Sequence, residues 1–196
     1  GIYKTVAEHY GVKCSYDFDG EIDTHYYPFY DKTELSGYKV RKLPKTFHSV
    51  GTVKGGLFGM NLYNGGKRLV ITEGECDAMA AYELLGSKWP VLSVKNGAGG
   101  SVKDVKQNLE YLEKFDNVVI SFDNDKVGKE AARKVAKLLT PGKARILTLS
   151  EDYKDPNDML RQGLHQNYVT AWWASSIYTP AGVLNLTDNL EKLINR

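Results

Sequence analysis

From residue 68 onward the chain alternates short apolar runs with longer amphipathic ones, and this rhythm constrains the fold more than any other feature. RLVIT (68–72), PVLSV (90–94), NVVISF (117–122) and ARILTL (144–149) have the length and apolarity of buried strands. Between them, 76–86, 102–115 and 128–139 show helical spacing, closed by Gly86 and by Pro141-Gly142, and DPNDMLRQG (155–163) opens a further helix. Strands alternating with helices of this length form a parallel sheet covered on both faces. The first 66 residues differ. They are rich in tyrosine and glycine, and pieces such as HYYPFY and GYKVRKL predict short strands joined by turns. The expected fold class is α/β, with a strand-rich part over 1–66 and the alternating part over 67–178. Residues 179–196 read as the start of a linker, with a last helix capped by Thr187 or Asp188.

Composition narrows the function classes. Of the 196 residues, 42% are hydrophobic and 26% charged, enough for a core and against wholesale disorder. Two cysteines, Cys14 and Cys76, exclude a disulfide scaffold and a four-cysteine zinc site. No apolar run approaches the ~18 residues of a membrane span, and the first residues lack a signal peptide's apolar stretch, so a cytoplasmic setting without a membrane partner is expected. The net charge of +2 conceals a segregation. Between Glu34 and Glu73 there is no acid, while Lys39, Arg41, Lys42, Lys45, Lys54, Lys67 and Arg68 all fall there. So long an exclusion of acids predicts an anion-binding surface rather than an ordinary solvated face.

The acids gather elsewhere, at the carboxyl ends of predicted strands, where open parallel sheets bind ligands. Glu73, Glu75 and Asp77 follow the first strand, Asp123 and Asp125 the third, and Asp155, Asn157 and Asp158 the fourth. Carboxylates held this close repel unless a cation offsets them, and magnesium suits such a set because it leaves positions for water and phosphate. Singly, Asp77, Asp125 and Asp158 can also serve as helix caps. Three clusters on one edge point instead to a shared metal site.

Rival motifs fail on context. VVISFDNDKV resembles the nucleophile motif of haloacid-dehalogenase phosphatases, but those carry it on their first strand, and here Glu73-Gly74-Glu75 precedes it. The Gly66-Lys67 pair lacks the P-loop's Ser or Thr and its following helix, and Val102 breaks a Rossmann pattern in the NGAGG loop. Glycines 97, 99 and 100 are expected to bring a backbone loop near phosphate or metal, or to form a tight turn. Tyr26, Tyr27, Phe29, Tyr30 and Tyr38 can stack on bases, though strand core is the better reading for them. Cys76, at a helix start, is expected to pack against the sheet.

ITEGECDAMAA, FDNDKVGKEAA and KDPNDML, in this order, resemble the motifs of a TOPRIM domain, the catalytic fold of bacterial-type primases, type IA and II topoisomerases and some nucleases. GLFGMNLYNGGKRLVITEGE more particularly resembles the primase half of T7-type phage primase–helicases, from about residue 35 to 196. The resemblance implies a DNA primase: template-directed synthesis of short RNA primers on single-stranded DNA from ribonucleoside triphosphates, ATP and CTP among them. It implies Mg2+, with Mn2+ as the alternative ion, and no zinc in this stretch. Glu73, Asp123 and Asp125 match metal-binding acids, Glu75, Asp77 and Asp155 supporting ones, and Lys67 and Arg68 a basic pair at phosphate or template, with Lys67 catalytic. Lys54, Arg41, Lys42 and Asn157 are further candidates for nucleotide or template. Met60 and Asn61 stand where the family often has a lysine, a loss that either Lys54 makes up or nothing does. Implied partners are a helicase domain downstream, a zinc-binding module upstream and a replicative DNA polymerase. The alternatives are a single-stranded-DNA-binding module without catalysis, or a TOPRIM nuclease.

Overall fold

A computed structural model of the chain describes residues 1–53 and 55–180, so Lys54 and almost all of the predicted linker lie outside the described residues. A short helix α1 (Lys4–His9), which the sequence did not announce, precedes four antiparallel strands: β1 (Lys13–Tyr16), β2 (Ile22–Asp31), β3 (Glu34–Lys42) and β4 (Thr46–Gly51), ordered β1-β2-β3-β4. Of the five aromatics read as strand core, Tyr27 and Phe29 are buried with Tyr10 and Phe58 against the rest of the molecule, while Tyr26, Tyr30 and Tyr38 are half-buried.

The second sheet contains β5 (Gly66–Thr72), β6 (Val91–Ser93), β7 (Phe115–Ser121), β8 (Ala144–Ile146) and β9 (Ser176–Ile177), in the order β6-β5-β7-β8-β9. Its pairings are parallel except for β9, which adds antiparallel at the edge. Side chains alternate across a strand, so Val70 and Val119 enter one core with α2 (Glu75–Leu84), α6 (Pro156–Arg161) and α7 (His165–Trp173). Leu69, Ile71, Val118 and Ile120 enter the other with α5 (Lys126–Ala136) and Val105 of α3 (Gly97–Gln107). Burial on both faces is why these strands read as continuous apolar runs. Phe58 bridges Ser93 at the free edge of β6, bringing the connector after β4 against the sheet.

One expectation divides here. Glycines 97, 99 and 100 lie not in an open loop but in the first turns of α3, which starts five residues before the predicted helix and breaks at Asn108 before α4 (Leu109–Leu112). Gly97 nonetheless comes up to the acids, since a Cβ there would lie 3.7 Å from Glu73 Oε1. The Asp104 carboxylate accepts from the backbone N–H groups of Lys95 and Asn96 at 2.9 Å, folding the segment back as a helix entrance. A Cβ on Gly100 would lie 2.2 Å from Asn96 Cβ, so close packing, not approach to a ligand, requires that glycine. No helix among the described residues is long and apolar enough to cross a membrane.

Candidate active site

Four elements end at one cleft of 550 Å3 between the two sheets. Glu73 leaves the carboxyl end of β5, Asp77 sits in the first turn of α2, Asp123 follows β7, and Asp155 opens α6; all four line this cleft with Asn157. Gly128 lets α5 start against the end of β7, since a Cβ there would lie 2.2 Å from the Asp123 carbonyl oxygen. Across the cleft stand Lys39 and Arg41 of β3, then Lys45 and Phe47. The acid-free stretch of sequence thus supplies the wall opposite the acids.

The electrostatics bear the marks of crowding. Burial, then the Asp123 charge, hold the Glu73 carboxyl above its usual range, and Oε2 of Glu73 is buried without a hydrogen-bond partner. Asp77 is raised well above its ordinary value, first by burial and then by Asp155 and Asp123. Lys154 Nζ stands 2.8 Å from Asp123 Oδ2 and 3.7 Å from Asp155 Oδ2, and the hydrogen bond to Asp123 lifts its pKa to about 12. Among the described residues no group of three or more His, Cys, Asp or Glu side chains stands in metal-holding geometry. The carboxylates converge without yet chelating, and an ammonium lies between two of them. An orphaned Glu73 oxygen, with the ionised forms of Glu73 and Asp77 both disfavoured, nonetheless belongs to a donor set that fits a hard cation.

The six acids grouped by the sequence are therefore divided. Glu75 is buried and engaged, its Oε1 accepting from Lys39 Nζ at 2.7 Å, while Lys39 also donates to the Lys95 carbonyl at 2.8 Å. Asp125 caps α5, accepting from Gly128 N–H at 2.8 Å, and acts on Glu73 only through space. Asp155 both lines the cleft and caps α6 through the Asp158 N–H.

The basic candidates divide as well. Arg41 lines the cleft beside Cys76, its Nη1 3.7 Å from Sγ. Cys76 is partly buried against the core, hydrogen-bonded to Tyr27 Oη at 3.1 Å, and burial raises its thiol pKa. Lys42, next but one along β3 from Val40, shares that residue's face rather than Lys39's and does not line the cleft. Lys67 is exposed at the amino end of β5, about 20 Å from Glu73 at ~3.3 Å per strand residue. Arg68 is committed elsewhere. Its guanidinium stacks over Trp172 and Trp173 and donates to the Trp172 carbonyl and Ser175 Oγ, both at 2.8 Å. As successive residues of β5, Lys67 and Arg68 point to opposite faces, and the structure brings neither to the acids: a family motif contiguous in sequence is spread along a strand. Lys39, Lys45, Phe47, Lys95 and Lys154, all on the cleft, were not singled out as site residues. For Lys39 and Lys45 the acid-free stretch was the available signal.

Comparison with known proteins places this arrangement. Residues 70–160 match the Toprim-like family model, which spans the strands and helices that carry the acids. The chain is 33% identical over 180 residues to the DNA helicase/primase of Enterobacteria phage T3, covering 88% of this chain and 31% of that protein. The primase fragment of the bacteriophage T7 primase–helicase superimposes with a TM-score of 0.79 at 32% identity, over 88% of this chain and 71% of that one. T7 primase domains seen with the lagging-strand DNA polymerase, an RNA/DNA hybrid and dTTP give a TM-score of 0.82 at 32% identity, over 91% of this chain and 90% of that one. The fold is that of a Toprim domain behind an antiparallel sheet. Within that class, the chain belongs to the primase domains of T7-type phage helicase/primases. It spans about a third of the T3 protein's length.

Proposed function

We propose that this chain is the polymerising core of a DNA primase, joining ribonucleotides on a single-stranded DNA template in the cleft between its two sheets. The observation that carries the reading is the pairing of opposite walls: Glu73, Asp77, Asp123 and Asp155 on the carboxyl edge of the parallel sheet, and Lys39, Arg41 and Lys45 facing them. Glu73 and Asp123 would hold Mg2+, or Mn2+ in its place, with Asp77 and Asp155 supporting. The ion would activate the attacking 3′-hydroxyl and offset charge developing on the α-phosphate. The cationic wall takes the triphosphate and the template phosphates, and makes binding salt-dependent. Phe47, 46% exposed with Lys39 5.2 Å and Arg41 5.9 Å from its ring, offers a base a stacking face beside those charges. The Lys39–Glu75 pair fixes the distance between the walls. Residues 1–66 in this reading contribute binding and 67–178 the chemistry. A helicase domain, a zinc-binding module and a DNA polymerase are the proposed partners, and the cytoplasm of an infected cell the proposed setting.

The test is synthesis. Single-stranded template, Mg2+, ATP and labelled CTP should yield dinucleotide and longer RNA, lost in Asp123→Asn. An absence of product on every template would leave the chain a single-stranded-DNA-binding module.

A further inference from the structure

Lys154 is anchored at its backbone and free at its tip. Its carbonyl accepts from the Asn124 N–H at 2.7 Å, and the Asn124 side-chain amide donates to the carbonyls of Ser150 and Tyr153 at 2.8 and 3.0 Å. The loop is thereby tied to the strand end that carries Asp123. The side chain itself is 62% exposed, yet its ammonium reaches back to Asp123 and Asp155, with Asp77 also facing it.

These oxygens come from different elements, one after β7 and one at the start of α6. The Asp158 N–H holds Asp155 through its other oxygen, Oδ1, but that contact neither draws Asp123 towards it nor offsets the charge of Asp77 beside them. A monovalent ammonium on a flexible stem offsets part of the repulsion but satisfies neither carboxylate as a divalent ion would. It also occupies Oδ2 of Asp123, one of the two oxygens open to such an ion. A second cation at that oxygen is repelled by the ammonium, so each weakens the other's hold.

We propose that Lys154 is a tethered counter-ion that holds the acidic edge together before a divalent ion binds, and must be displaced from Asp123 for the ion to enter. Released, its ammonium stays over the cleft mouth within reach of an arriving triphosphate. Lys154 is thus a positioning residue that couples metal entry to a change in the cleft. The inference rests on the reading of Asp123 as a metal ligand.

The experiment is Mn2+ binding to the chain without nucleotide, followed by the paramagnetic resonance of free Mn2+, with thermal melts in EDTA and in saturating Mn2+. Lys154→Met removes the competitor and should bind Mn2+ about 3- to 10-fold more tightly than wild type. Lys154→Arg supplies a planar fork that grips carboxylates better and should bind Mn2+ more weakly than wild type. Lys154→Met should lower the melting temperature in EDTA and not in Mn2+, whereas loss of an ordinary structural contact would lower both. Equal or weaker Mn2+ binding by Lys154→Met, with binding by wild type that Asp123→Asn abolishes, overturns the counter-ion and leaves the metal reading intact. Mn2+ binding by none of the chains overturns both.

Discussion

Lys39 of β3 and Glu75, the first residue of α2, meet at 2.7 Å between Nζ and Oε1, joining the antiparallel sheet to the acidic edge of the parallel one. Glu75 is 4% exposed, and burial raises its carboxyl pKa despite the lysine. Lys39→Met would leave a buried carboxylate uncompensated and should cost about 3 kcal/mol. Urea unfolding checks this. Glu75→Gln in the Lys39→Met background should recover most of the loss, whereas two additive losses would show that the pair is not coupled.

Asp77 sets stability against function. Burial and two neighbouring acids disfavour its ionised form, so Asp77→Asn should raise the melting temperature in EDTA while lowering primer synthesis. The pH dependence follows. A carboxyl whose folded pKa is raised binds protons more readily folded than unfolded, so its contribution improves as pH falls from the raised value toward the unfolded one. The wild-type melting temperature should therefore gain more than that of Asp77→Asn as pH is lowered from neutrality towards the ordinary carboxyl range. A larger gain in the variant would refute the assignment.

Phe47 is the aromatic that the fold leaves accessible on the cleft. Phe47→Ala should weaken oligodeoxynucleotide binding by about 1–3 kcal/mol if one base stacks there. Fluorescence anisotropy measures this. The salt slope should hardly change, because no phosphate contact is lost.

Arg68 is a structural stack rather than a cleft residue. Lysine keeps its charge but loses the planar face over Trp172 and Trp173 and the paired donation at 2.8 Å. Arg68→Lys should destabilise the chain by about 1–3 kcal/mol in chemical denaturation. A variant as stable as wild type would return Arg68 to the list of free cations.

The parallel sheet and its acids were legible in the sequence because both are local signals. An apolar strand fully buried on two faces reads as such, and by chain position alone Glu73 and Asp123 fall just past strand ends and Asp155 at the start of a helix. What the sequence hid lies in long-range pairing. Lys39 meets Glu75 36 residues on, and Lys154 reaches Asp123 across a loop. Neither partner is marked in a linear reading. Asp125 is grouped with the metal-binding acids by its place after a strand, and the structure adds a second role that the same position allows, the cap of α5. Lys67 and Arg68 adjoin the acidic motif in sequence, yet the length of β5 carries them to the opposite end. The glycines that open α3 read as a loop in the sequence, and only the Asp104 contacts show the segment to be a helix entrance.

In the proposed function the reaction takes place between the acidic edge and the cationic wall. A crystal of the chain with Mn2+ and a non-hydrolysable CTP analogue tests it most directly. The anomalous signal of Mn2+ is expected in coordination reach of Glu73 and Asp123, with the triphosphate directed to Lys39, Arg41 and Lys45. Mn2+ and nucleotide ordered together elsewhere, for instance beside Lys67, would contradict it.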